Sequence, residues 1–138
     1  MSAIRVERID GVPIAYLTED IDATNAAAVQ ERLADSLGPE ANGLVVDLSE
    51  VRYLDSGGLD MLLRFSDRLD RRRATLMLVI PESSQLNRLA AIVGLPQAVA
   101  TYPTLLAARE AAAELPTGAK IAPDSVGGAS PVSRSEQP

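Results

Sequence analysis

The segment Leu44–Leu69, LVVDLSEVRYLDSGGLDMLLRFSDRL, allows few folds because its hydrophobic period changes part-way along. Leu44, Val45 and Val46 form a short apolar, β-branched run, the pattern of a strand buried on both faces. After a polar connection, Leu59, Leu62, Leu63 and Leu69 recur at helical spacing, with Ser66 on the same side. A second apolar run, Thr75 to Ile80, ends at Pro81. A buried strand, a helix and another strand in that order imply a right-handed crossover.

The change from strand to helix falls at Asp55, Ser56, Gly57 and Gly58, which sets Ser56 at a helix start. The first turn of a helix has unpaired N–H groups and carries about half a positive charge, so an anion there is stabilised. The two glycines permit tight backbone conformations and close approach, and neither screens the Ser56 hydroxyl. Serine is also a preferred N-cap, and a serine before a helix ordinarily does no more than accept a bond from the first turn.

The rest of the chain supplies elements around this unit. Ile4, Val6 and Ile9, a turn at Gly11, and Val12 to Thr18 predict an antiparallel hairpin, with Pro13 near the start of its second strand. A helix is expected from Thr24, as its cap, to Leu37, with Val29, Leu33 and Leu37 on its apolar stripe; Gly38 and Pro39 end it. On the central helix, Asp60, Arg64, Asp67 and Arg68 face away from the apolar stripe, while Met61 and Phe65 fall at its margin, four apart. They suit either an apolar contact for a partner beside Ser56 or packing under a neighbouring element. Arg71, Arg72 and Arg73 read as a solvated helix end. Ser83 or Ser84 caps a helix through Leu86, Leu89, Ala90 and Val93, closed by Gly94 and Pro96. Val99 to Tyr102 forms a short edge strand, and a last helix from Thr104 to Leu115 docks through Leu105, Leu106 and Ala112. Residues 116–138, rich in proline, glycine and serine, read as a disordered tail.

Composition removes several function classes. The 13 basic and 19 acidic residues give a net charge of −6, unfavourable for binding nucleic acid. The absence of cysteine and histidine excludes thiolate chemistry and the commonest general base and metal ligand. A hydrolase built on Asp20, Asp22, Asp47 and Asp55 around Ser56 would lack a base, since Lys120 lies in the tail, and there is no GxxxxGK[ST] loop. No apolar run approaches a membrane span, and Arg5, Glu7, Arg8 and Asp10 interrupt the N-terminal hydrophobics, so a cytoplasmic protein without membrane insertion is expected. A monomer is the default expectation for one domain of this size and charge.

The run Asp47, Leu48, Ser49, then Val51, Leu54, Asp55, Ser56 and Gly58, resembles the signature of the STAS domain, the sulfate transporter and anti-sigma factor antagonist family. Upstream, Thr18, Glu19, Asp20, Ile21 and Asp22 are similar to that family's segment between its second strand and first helix, with Asp22 on its aspartate and Glu19 in place of its usual glycine. Gly57 stands where many members have a second hydroxyl residue, leaving Ser56 the sole phosphoacceptor candidate inside the motif. The resemblance implies an α/β STAS-like single domain over 1–115, a mixed sheet of four to five strands with about four helices mainly on one face. It further implies an anti-sigma factor antagonist. The unphosphorylated form would bind an anti-sigma factor with serine kinase activity and release a sigma factor, until Ser56 is phosphorylated; a serine phosphatase would reset it. Asp20, Asp22, Asp55, Ser56, Gly57, Gly58, Asp60 and Met61 would form the partner surface. Asp22 would serve as a loop cap, orient the serine hydroxyl or hold magnesium during transfer. On this reading the chain is no enzyme and has no cofactor or metal of its own, ATP and magnesium belonging to the kinase. The alternative within the family is a scaffold or accessory subunit, stressosome-like or lipid-transporter-associated, without a phosphoswitch.

Overall fold

The chain begins with the expected hairpin: β1 (Ile4–Ile9) and β2 (Val12–Leu17) pair antiparallel around Asp10 and Gly11. Both turn residues have positive φ, 53° and 81°, which matches the turn to the twist of the two strands. In the computed structural model, which describes residues 4–39 and 41–115, there follow α1 (Ala26–Leu37), β3 (Gly43–Asp47), α2 (Ser56–Arg71), β4 (Thr75–Val79), α3 (Gln85–Val93), α4 (Leu95–Ala98), β5 (Ala100–Tyr102) and α5 (Leu105–Ala113). The tail expected over 116–138 lies outside the described residues.

The five strands lie in the order β1-β2-β3-β4-β5, and every pair after the hairpin is parallel. Alternation along the central strands divides the core in two. Leu44, Val46, Leu76 and Leu78 face α1, α2 and α3, among Leu33, Leu62, Phe65, Leu69 and Leu86. Val45, Met77 and Val79, with Ile14, face α5 through Ala108 and Ala112. Strands covered on both sides carry no polar alternation, which is why Leu44–Val46 reads as an unbroken apolar run. The result is the expected mixed α/β sheet, with all helices but α5 on one side.

Several local expectations are corrected. Thr24 does not cap α1: the cap position is Asn25, while Thr24 donates its hydroxyl to Asp22. The buried face of α2 is Gly58, Met61, Leu62, Phe65, Ser66 and Leu69, turned towards the residues placed at its margin, because α2 packs against α1 as well as the sheet. Met61 and Phe65 are 4% and 1% exposed and belong to the core. On α5, Leu105 and Ala112 dock as expected, together with Ala108, whereas Leu106 is 60% exposed; small side chains let the helix lie close to the sheet. Arg71, Arg72 and Arg73 are exposed as expected, and the Arg72 guanidinium in addition donates to the carbonyls of Gly38 and Pro39 beyond the end of α1. Leu95–Ala98 forms a short helix after Gly94, where Pro96 fits the first turn.

Candidate functional site

Beyond the sheet, the connection after β2 and the connection after β3 run side by side. Ile21 and Leu54 form an isolated parallel bridge: the Ile21 N–H donates to the Tyr53 carbonyl at 3.2 Å, and the Asp55 N–H to the Ile21 carbonyl at 3.1 Å. Two carboxylates fasten the pair. Asp20 Oδ1 accepts from the backbone N–H groups of Arg52 and Tyr53, at 2.9 and 3.2 Å. Asp55 accepts from the Gly58 N–H at 3.0 Å with Oδ1, and from the Ala23 N–H at 3.3 Å with Oδ2. Asp55 is thus both the N-cap of α2 and a tie to the facing loop.

The glycines explain how the two connections come so close. A β-carbon on Gly57 would stand 2.9 Å from Cα of Ala23, and one on Gly58 would stand 2.7 Å from the Ile21 carbonyl oxygen. Their approach is to the chain's own loop, and a hydroxyl residue at position 57 would require that loop to move.

Because Asp55 caps the helix, Ser56 is released from that duty. It occupies the first position of α2, is exposed, and its hydroxyl makes no hydrogen bond among the described residues. The N–H groups of Ser56 and Gly57 likewise have no protein acceptor there, as expected for a first turn with one cap. An anionic group on Ser56 would meet these donors and the positive end of a 16-residue helix, with the Asp55 carboxylate alongside.

Asp22 organises its own loop. Its Oδ1 accepts from the Thr24 hydroxyl and from the Thr24 N–H at 2.8 Å, and these bonds hold its carboxyl below the usual carboxylate range, the hydroxyl contributing most. Of its proposed roles, the loop cap is the one this geometry displays. No cluster of three or more acidic side chains among the described residues is arranged to hold a metal ion. Asp60 is exposed and paired with Arg64 at 2.7 Å, one turn along α2. Met61 is buried and offers no surface to a partner, which corrects its assignment.

An apolar groove of about 200 Å³ opens beside Ser56, between the start of α2 and the α3–α4 corner, lined chiefly by Tyr53, Leu59, Leu89, Val93 and Leu95. Tyr53 and Val93 are 53% and 45% exposed, so apolar surface adjoins the serine even though Met61 does not supply it. Sequence reasoning missed this groove. The sequence held little signal for it: Leu86, Leu89, Ala90 and Val93 form the ordinary core-facing stripe of an amphipathic helix, and nothing in that spacing marks Val93 as exposed.

Residues 3–108 match the STAS domain family. The chain belongs to that family. This STAS domain is 28% identical over 96 residues to the anti-sigma-F factor antagonist RsfB of Mycobacterium tuberculosis, spanning 70% of this chain and 77% of RsfB. Its fold is similar to the crystal structure of an anti-sigma factor antagonist from Mycobacterium paratuberculosis, with a TM-score of 0.71, 27% identity, and coverage of 83% of this chain and 96% of that one. It also shares its fold with the Bacillus cell fate determinant SpoIIAA in the phosphorylated form, at a TM-score of 0.57 and 14% identity over 79% of this chain and 98% of that one. Of the residues predicted for the site of this STAS domain, the structure gathers Asp20, Asp22, Asp55, Ser56, Gly57 and Gly58 into one loop cluster, leaves Asp60 on the outer face of α2 and draws Met61 inside. No helix among the described residues is long and apolar enough to cross a membrane.

Proposed function

We propose that this chain is an anti-sigma factor antagonist whose Ser56 is the phosphoacceptor of a partner switch. The observation that carries the reading is the division of labour at the start of α2, where Asp55 caps the helix and Ser56 is left exposed with an unengaged hydroxyl. The similarity to RsfB and to the antagonist from M. paratuberculosis supplies the partner class: an anti-sigma factor, here one with serine kinase activity that brings its own ATP and magnesium. In the unphosphorylated state the loop cluster and the adjoining apolar groove dock on that partner and displace a sigma factor, in the cytoplasm. A phosphate on Ser56 adds nearly two negative charges beside Asp55. The fold tolerates it, because the first-turn N–H groups can donate to its oxygens. The interface does not, since an unpaired charge forced into a packed contact costs a few kcal/mol, about 2–5. The chain itself performs no catalysis, and a serine phosphatase resets it.

The test uses the kinase-type anti-sigma factor encoded by the source organism, purified and incubated with the full chain and Mg-ATP. Phosphate should map to Ser56 by mass spectrometry. Wild type and Ser56→Ala should bind the anti-sigma factor, and the phosphorylated protein and Ser56→Asp should not. Equal binding by all forms would remove the switch and favour a scaffold role.

A further inference from the structure

β1 forms one edge of the sheet, and on its outer side no strand pairs with it among the described residues. A single proline reveals which groups face outward. Pro13 has no N–H, so the Arg8–Pro13 pair is of the non-hydrogen-bonded kind, and alternation makes Val6–Ala15 and Ile4–Leu17 the same. The N–H and C=O groups of Ile4, Val6 and Arg8 therefore point away from β2, across the open edge.

Charges on an edge strand usually protect it from pairing. Here Arg5 and Glu7 flank Val6 symmetrically and carry opposite signs, so an antiparallel second copy can set each against its opposite. We propose that β1 is a self-association edge, on which a second copy of this chain docks antiparallel about a two-fold axis at Val6. In that register Val6 exchanges both backbone bonds with Val6 of the second copy, and Ile4 does so with Arg8 of the second copy. Arg5 then stands opposite Glu7 of the second copy in the closer, non-hydrogen-bonded pairing, and symmetry makes the contact twice. The two neighbouring registers that keep the same outward groups set Arg5 against Arg5 or Glu7 against Glu7. Charge therefore selects one register and rejects the two beside it.

The side chains agree with this arrangement. Val6 is 43% exposed and, with Ile4, lines a groove against Arg32, Asp35 and Ser36 of α1. The axis brings the two Val6 side chains together over that groove. On the other face Arg5 lies over the Tyr16 ring, 4.1 Å from its centre, and bonds Glu7 at 2.8 Å; this exposed pair within the strand is exchanged for the two pairs across the axis on association. A six-residue strand buries less than a standard interface, and the dimer is accordingly weak and concentration-dependent. Its edge is two strands from β3 and does not depend on what Ser56 does.

Sedimentation equilibrium of the full chain, followed up to millimolar concentration, tests the pairing. Wild type should move from monomer to dimer mass. Arg5→Glu alone and Glu7→Arg alone should each weaken association by about tenfold or more, since two attractive pairs become two repulsive ones. An equimolar mixture of the two variants should recover it, because every pair across the axis is again of opposite sign. Far-UV circular dichroism checks that both variants are folded, and both positions are exposed. A wild type that stays monomeric, variants that dimerise as wild type does, or a mixture that fails to recover would overturn the proposal.

Discussion

Gly58 and Ile21 are packed so closely that a β-carbon on the glycine would lie 2.7 Å from the isoleucine carbonyl oxygen, the same oxygen that accepts the Asp55 N–H. The start of α2 is therefore seated directly on Ile21, whose carbonyl oxygen is nearest and whose side chain follows at 3.1 Å from the same β-carbon position. The position of Ser56 is inherited from that seating.

Gly58→Ala should lower stability despite its gain of about 1 kcal/mol in helix propensity. The overlap is with backbone and must be relieved by moving the loop, at a cost of about 1–3 kcal/mol. Urea denaturation measures the net loss. A stabilised Gly58→Ala protein would show that the two connections are not held as described.

Asp55 and Ser56 should respond unequally to truncation. Asp55→Ala removes the cap and the bond to Ala23, and should cost about 1–2 kcal/mol. Ser56→Ala removes a hydroxyl without a partner and should change stability by no more than about 0.5 kcal/mol. Thermal unfolding of the two variants compares them directly. A larger loss at Ser56 than at Asp55 would return the capping role to the serine.

The Asp22 carboxyl should titrate below an ordinary aspartate in a carboxyl-detected NMR experiment, because the charged form is the one that accepts from Thr24. Its folded value is depressed, so the stability it lends is complete above the unfolded value of about 3.9 and is lost as pH falls through the lower folded value. Thr24→Val should raise the Asp22 value towards normal, since the Thr24 hydroxyl is the main cause of the depression.

Much of this architecture is legible in the chain because period and punctuation agree. Leu44–Val46, the helical spacing after Ser56 and the Gly94 stop each mark an element that the structure contains, as do Ser84 and Thr104, whose side chains cap α3 and α5. What could not be read is whatever depends on neighbours distant in sequence. A helical wheel centres the face of α2 on its leucines, and only the presence of α1 turns Met61 and Phe65 inward. Ser56 and Asp55 are both good caps, and the choice between them rests on Ala23, more than thirty residues away, which offers its N–H to the aspartate. The groove at Tyr53 likewise requires two segments to meet.

The alanine-rich face of α5 has a consequence for how the molecule can be attached to other things. Leu115 reaches the beginning of β3, where its side chain fills the space beside Gly43, whereas Ser56 follows the end of that strand. The strand's length separates the two poles. A tag, tether or fused domain joined after Leu115 would be anchored at the pole remote from Ser56, leaving the loop cluster uncovered.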